Sequence, residues 1–184
     1  MQAQIALGFI ETSSIAKGIE ASDAMCKMAE VKLLKAAGIP RGKYIVLVAG
    51  TAGEVESSLR IGKQTAGDTL VAHFIIRNVH EQILPALDKR VGVERLEAVG
   101  VIETKEAAPA IFAADAAAKA ARVHVVEVRA GGGIGGKGIV TLTGEVSAVR
   151  SAVNAGVATV PPGLLISFIV IPEAHEQLLS SLTK

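Results

Sequence analysis

Apolar and polar positions change period along this chain in a fixed order. Residues 4–12 read as a strand, and residues 13–29 place apolar side chains at Ile15, Ile19, Ala21, Met25 and Met28, the spacing of a helix. Strands over 31–37 and 43–49 follow, joined by a Gly-containing loop. Next come a helix over about 53–66, a very apolar strand over 70–77 and a short helix from about 79. The succession then begins again. Strand 96–104, helix 105–121, strands 123–129 and 138–143, helix 146–159, strand 164–171 and a short helix from about 174 repeat the first half. Thr12 or Ser13, and Thr104, stand where N-caps are expected. The predicted fold is α+β, each half a β-α-β-β-α-β-α unit of ferredoxin-like order with its helices on one sheet face.

The two halves are copies of one domain. Gly8-Phe9-Ile10-Glu11-Thr12 returns as Gly100-Val101-Ile102-Glu103-Thr104, a shift of 92 positions, and Ala21, Asp23, Ala24, Lys27 and Val31 recur at that shift as Ala113, Asp115, Ala116, Lys119 and Val123. Gly42-Lys43 and Gly50 return two residues later than that shift, as Gly136-Lys137 and Gly144, so the intervening loop is longer in the second copy. His80-Glu81-Gln82 with Leu84 matches His175-Glu176-Gln177 with Leu179. The expected domains are 1–90 and 96–184, with 89–95 as a charged linker.

Composition narrows the function classes. Half the residues are hydrophobic but only 3% are aromatic, so the core is built from small aliphatics. Lys and Arg total 19 against 18 Asp and Glu, which leaves no polycationic field for nucleic acid. The single cysteine, Cys26, permits no internal disulfide, and its helical position predicts a packing role. No leader-like start and no membrane-length apolar run are present, so the chain reads as cytosolic, without a membrane partner.

Several motifs suggest chemistry that their context does not support. The loop Gly131-Gly132-Gly133-Ile134-Gly135-Gly136-Lys137 fits G-x-G-x-x-G and nearly fits a phosphate-binding loop, yet the residues after it are strand-like and supply no helix N-terminus for phosphates. A Gly-rich hairpin connection is the expected structure. His80-Glu81 and His175-Glu176 begin like H-E-x-x-H, but Leu84 and Leu179 occupy the second ligand position, and His73 and His124 are isolated. Glu11 and Glu103 recur at strand ends without a nucleophile beside them in sequence. Asp23 with Lys27, and Asp115 with Lys119, are i,i+4 pairs suited to a solvated helix face or an edge contact.

Taken together, G-x-I-E-T, A-x-D-A-x-x-K-A, the Gly-Lys loop, G-x-x-x-x-V and the terminal His turn resemble the shell domain of bacterial microcompartments. Two such domains in tandem resemble the trimeric class of shell proteins, in particular the T-subunit type of propanediol-utilisation shells. Because G-x-I-E-T opens each copy, the order is that of the unpermuted class. The resemblance implies a structural role and no enzymatic one: a flat, pseudohexameric homotrimer that tiles with hexameric shell proteins around encapsulated enzymes, in the bacterial cytoplasm. It places Lys27 and Lys119 at tile edges, with Arg77, His80 and His175 in the nearby turns; the second-copy turn has Pro172 where the first has Arg77. It makes Gly38, Ile39, Pro40 and Arg41, with Gly131, Gly132, Gly133, Ile134 and Gly135, the lining of a pore for small metabolites. The T-subunit type carries an iron–sulfur cluster through a first-copy loop cysteine; Pro40 stands there in this chain, so no cofactor and no metal is expected. A tandem small-molecule-sensing regulatory module, or a small enzyme built on the Gly-rich loop, are the other function classes open at this point.

Overall fold

A computed structural model describes residues 5–183; position 4, the sequence-predicted start of the first strand, lies outside the described residues, as does Lys184. The chain divides into two compact units, Met1–Val79 and His80–Lys184. The first contains β1 (Ala6–Thr12), α1 (Ile15–Met28), β2 (Lys32–Ile39), β3 (Lys43–Gly50), α2 (Ala52–Ala66) and β4 (Leu70–Ile76). In the second, α3 (Ile83–Asp88) precedes β5 (Ala98–Thr104), α4 (Ala107–Ala120), β6 (His124–Ala130), β7 (Gly138–Gly144), α5 (Val146–Ala158), β8 (Leu165–Ile171) and α6 (Leu179–Thr183). The repeat places 80–90 at the end of the first copy, whereas by packing this segment belongs to the second unit.

Each unit has one four-stranded antiparallel sheet, ordered β2-β3-β1-β4 and β6-β7-β5-β8. This is the split β-α-β order anticipated from the sequence. The first core gathers Ala6, Ile10, Met25, Val46, Val48, Val55 and Leu59 between the sheet and its helices. The recurring glycines set how closely helix meets strand. A Cβ on Gly8 would lie 2.7 Å from Val55 Cγ1 of α2, and one on Gly100 would lie 2.6 Å from Val153 Cγ2 of α5. G-x-I-E-T begins with glycine because a helix packs directly over that position.

The caps differ from expectation. Ser14 caps α1 by accepting from Lys17 N–H, and Glu106 occupies the cap position of α4 without a side-chain bond. The Thr12 and Thr104 hydroxyls instead donate to the carbonyls of Ser14 and Glu106, each at 2.8 and 2.7 Å, fastening the strand-to-helix turn. Thr51 and Glu54 form a capping box on α2. Glu145 caps α5, and its carboxyl is held below the ordinary glutamate range first by the Ser147 hydroxyl and then by the Ser147 and Ala148 N–H groups. This cap stabilises the fold above the unfolded glutamate pKa near 4.5, and the stabilisation is lost as pH falls through the lowered folded value.

The short terminal helices begin later than the sequence suggests. Turns at 80–82 and a 3₁₀ turn at Glu176–Leu178 precede α3 and α6, because His80 and His175 use their carbonyls to close the turn on Ile83 and Leu178. Met25 and Ala21 enter the core as their spacing predicts, but Ile15, Ile19 and Met28 are exposed, as is Cys26. The expected packing role of Cys26 is therefore not met within this chain. Among the described residues no helix is long and apolar enough to cross a membrane.

Candidate functional site

The site residues anticipated from the sequence fall on two features of the fold, the hairpin loops and the helix faces beside the edge strands. The first hairpin loop is short. Gly38 and Ile39 still belong to β2, and Ile39 is buried, so only Pro40, Arg41 and Gly42 form the exposed turn. This removes Ile39 from any lining surface made by one chain, since its side chain is already covered. Arg41 sits at φ 71° and Gly42 at φ 70°. A non-glycine residue in the left-handed region costs about 1 kcal/mol or more, so the tight turn presents Arg41 at a local energetic cost. Among the described residues its guanidinium has no hydrogen-bonded or ion-paired partner.

The second loop, 131–137, leaves β6 and enters β7 with no helix after the glycines, so it is the hairpin connection and not a phosphate cradle. Gly131, Gly133, Gly135 and Gly136 all have positive φ, between 70° and 86°, which explains the glycine run. The loop is laced by its own backbone: Gly131 N–H donates to the Lys137 carbonyl at 2.9 Å, Gly136 N–H to Gly131 at 3.2 Å and Lys137 N–H to Ile134 at 3.3 Å. Gly133 and Gly135 face open space.

Both loops are rooted by an ion pair that the sequence leaves unconnected. Lys43 Nζ lies 2.6 Å from Glu11 Oε1, and Lys137 Nζ lies 2.8 Å from Glu103 Oε1. The duplicated carboxylates and the duplicated Gly-Lys loops are thus each other's partners, joining the end of β1 to the start of β3 and the end of β5 to the start of β7. The sequence signal was available: opposite charges recur together in both copies, 32 and 34 residues apart. An acid/base role for Glu11 or Glu103 loses its appeal, since each carboxylate is engaged by a lysine.

The helix pairs are used unequally. Lys27 reaches Asp23 at 2.6 Å on an open surface. Lys119 reaches Asp115 at the same distance, but Asp115 is buried and its other oxygen accepts from the His80 backbone N–H at 2.8 Å. Arg77 donates to Glu56 of α2 at 2.9 Å. The His80 and His175 imidazoles accept through Nδ1 from the N–H groups of Gln82 and Gln177, at 3.4 and 3.3 Å. His73 on β4 has a lowered pKa, chiefly from partial burial and then from Lys63. Among the described residues no three His, Cys, Asp or Glu side chains cluster as metal ligands, and Cys26 belongs to α1 and not to the loop turn. The donor set does not fit an iron–sulfur cluster at Pro40.

The architecture and sequence have clear relatives. The BMC domain model matches residues 6–79 and again 98–174. The bacterial microcompartment shell protein PduT of Citrobacter freundii is 41% identical over 94% of this chain and 95% of its own length. The carboxysome shell protein CsoS1 of Prochlorococcus marinus is 44% identical over 45% of this chain and 84% of its own, matching one copy. A microcompartment protein from Desulfitobacterium hafniense superposes with a TM-score of 0.91 at 46% identity, covering 96% of this chain and 98% of that one. A fused permuted hexameric shell protein from the RMM microcompartment gives a TM-score of 0.64 at 26% identity, covering 87% and 85%. Two matches to the same domain model, one in each half of the repeat, make this chain a tandem-domain bacterial microcompartment shell protein of the BMC family.

Proposed function

We propose that three copies of the chain assemble into a pseudohexameric ring that tiles edge to edge with hexameric and other shell proteins, enclosing a pathway's enzymes and passing small metabolites through a central pore. The observation that carries this reading is the apolar surface each chain leaves open. Ile166, Phe168 and Ile169 of the edge strand β8, with Ile15, Ile19 and Leu33, are large hydrophobic side chains exposed to solvent. Such surface marks an interface. Two similar domains around a threefold axis present six nearly equivalent edges. The chain is assigned no reaction, since the relatives named above are shell proteins.

Lys27 and Lys119, with Arg77, are placed at the tile edge. Lys27 is the more available of the two lysines, its side chain 75% exposed against 41% for Lys119, although each pairs with its own helix aspartate. Replacing Lys27 and Lys119 together by Ala should leave the trimer intact while sheets seen by electron microscopy are lost. Sheets equal to those of the parent would remove both residues from the edge.

At the pore, Pro40 and Arg41 from each first copy alternate with 131–135 from each second copy. Three guanidiniums about 8 Å apart in near-bulk water repel by only about 0.5 kcal/mol per pair, so a hydrated ring is tolerated. Arg stays charged throughout the physiological range, and the opening favours small anions such as carboxylates or phosphorylated metabolites. Anion flux into shells built with Arg41→Ala should fall relative to a neutral solute of equal size; an unchanged ratio would retire the electrostatic gate.

A further inference from the structure

The same turn is built twice in this chain but is docked only once. After β4, Val79 N–H donates to the Ile5 carbonyl, Gln82 N–H reaches His80 Nδ1 and Ile83 N–H closes on the His80 carbonyl. After β8, Ala174 N–H donates to Glu97, Gln177 N–H reaches His175 Nδ1 and Leu178 N–H closes on His175. In the first instance the turn, from His80 onward part of the second unit, is seated within that unit. His80 N–H donates to Asp115, the Gln82 side-chain amide donates to the Val123 carbonyl at 3.0 Å, and its oxygen accepts from Val125 N–H at 2.8 Å. Ile83 and Ala86 behind it are buried.

Every element of that seat has a repeat-related twin in the first unit; Asp23 and Leu33 among them are exposed, and Val31 is half-buried. Asp115 corresponds to Asp23, Val123 to Val31 and Val125 to Leu33. The Asp23 side chain is 62% exposed against 11% for Asp115. Leu33 is 42% exposed against 2% for Val125, and Ile19 is 54% exposed against none for its twin Ile111. Among the described residues, Asp23 accepts only from Lys27, and neither the His175 backbone N–H nor the Gln177 side-chain amide has a partner. Among the described residues, one chain therefore carries a preformed plug without a socket and a socket without a plug.

We propose that the turn 175–178 of each chain docks on α1 and β2 of the next copy, with His175 N–H on Asp23 and the Gln177 amide clasping the Val31 carbonyl and Leu33 N–H. This rests on the trimer proposed above and supplies its interface. It also moves His175 from the tile edge to the junction between chains. The contact joins unlike patches head to tail, and such an interface closes into a ring when the rotation permits.

Cross-linking tests it on the full chain. In a Cys26→Ala background, Asp23→Cys with His175→Cys should give covalent dimers and trimers with a short bismaleimide on denaturing gels. His80→Cys with Asp115→Cys, the twin pair, should cross-link within one chain and so calibrates the reach. Intrachain product alone, or no product while the calibrating pair reacts and light scattering still shows a trimer, would overturn the docking and leave the trimer standing. A parent chain that scatters as a monomer would remove both. At the exposed Gln177, Gln177→Ala should raise the concentration of half-dissociation by about tenfold, the weight of one net hydrogen-bonded contact per junction; an unchanged value would overturn the clasp.

Discussion

Exchanging Lys43 for Ala should destabilise the first unit by about 3–5 kcal/mol, the cost of leaving a buried charge without its partner. Glu11 is only 2% exposed, lies on the central strand β1 and has Lys43 as its counter-ion at 2.6 Å. Removing the lysine strands the carboxylate among apolar neighbours. The second copy provides an internal control, because Glu103 is 28% exposed and Lys137 is more open still. Lys137→Ala should therefore cost only about 0–1 kcal/mol, as water replaces the lost cation. Replacing Glu11 by Gln together with Lys43 by Met should recover most of the loss, since a neutral pair of similar volume avoids the stranded charge. Urea unfolding followed separately in each variant measures the contrast. Equal losses for Lys43→Ala and Lys137→Ala would show that burial of the first pair carries no weight.

That pair also marks the limit of what the sequence discloses. The element order was legible because duplication samples the same pattern twice: a strand or helix seen in both copies is supported by two different sets of side chains. The family followed from the order of motifs, and the domain matches bear it out. Contacts between elements were another matter. Glu11 and Lys43 were both visible as recurring charges, yet periodicity reports which face a residue occupies and not which distant residue it meets. The cap positions show the same gap on a small scale. Thr12, Ser13 and Ser14 are all chemically able to cap α1, and the Thr12 hydroxyl donates to a carbonyl instead because the chain turns tightly there.

The unequal use of identical motifs was hidden for a different reason. Asp23-Lys27 and Asp115-Lys119 have the same spacing, and nothing local separates a pair left in solvent from one that anchors an incoming turn. What separates them is what packs against each. The segment from His80 packs within the second unit, where Asp115, Val123 and Val125 receive it, whereas among the described residues no segment is hydrogen-bonded to Asp23 other than its own helix. Sequence duplication thus produces similar motifs, and the segment that packs against a motif decides whether it is covered. Under the docking proposed above, the exposed Ile19 and Leu33 would be covered by a second copy.

Substituting Ala for Gly100 should cost the second unit toward the upper end of the roughly 1–3 kcal/mol typical of overpacking, and Val at that position should cost more. The added Cβ would meet Val153 Cγ2 at 2.6 Å, Leu142 Cδ1 at 2.8 Å and Val149 Cγ1 at 3.0 Å, so strand β5 and helix α5 must separate. Branched side chains on a packed helix have few alternative rotamers with which to yield. Gly8→Ala should behave alike in the first unit, with Val55 at 2.7 Å and Val48 and Leu59 slightly farther, and so cost somewhat less. The helix glycines sharpen the test. At Gly62 the clash is with Met25 and the tip of Ile10, flexible groups that can move, and Ala gains about 1 kcal/mol of helix propensity over Gly, so Gly62→Ala should be nearly neutral. At Gly156 the Cβ would lie 2.7 Å from the Ala113 carbonyl oxygen, part of the backbone of α4, and Gly156→Ala should be clearly destabilising despite the same propensity gain. Thermal unfolding of the four variants should rank Gly100 and Gly156 as the costly positions, Gly8 next and Gly62 last. A Gly62 loss equal to that at Gly156 would mean that helix spacing, and not the yielding of the particular neighbour, governs the cost.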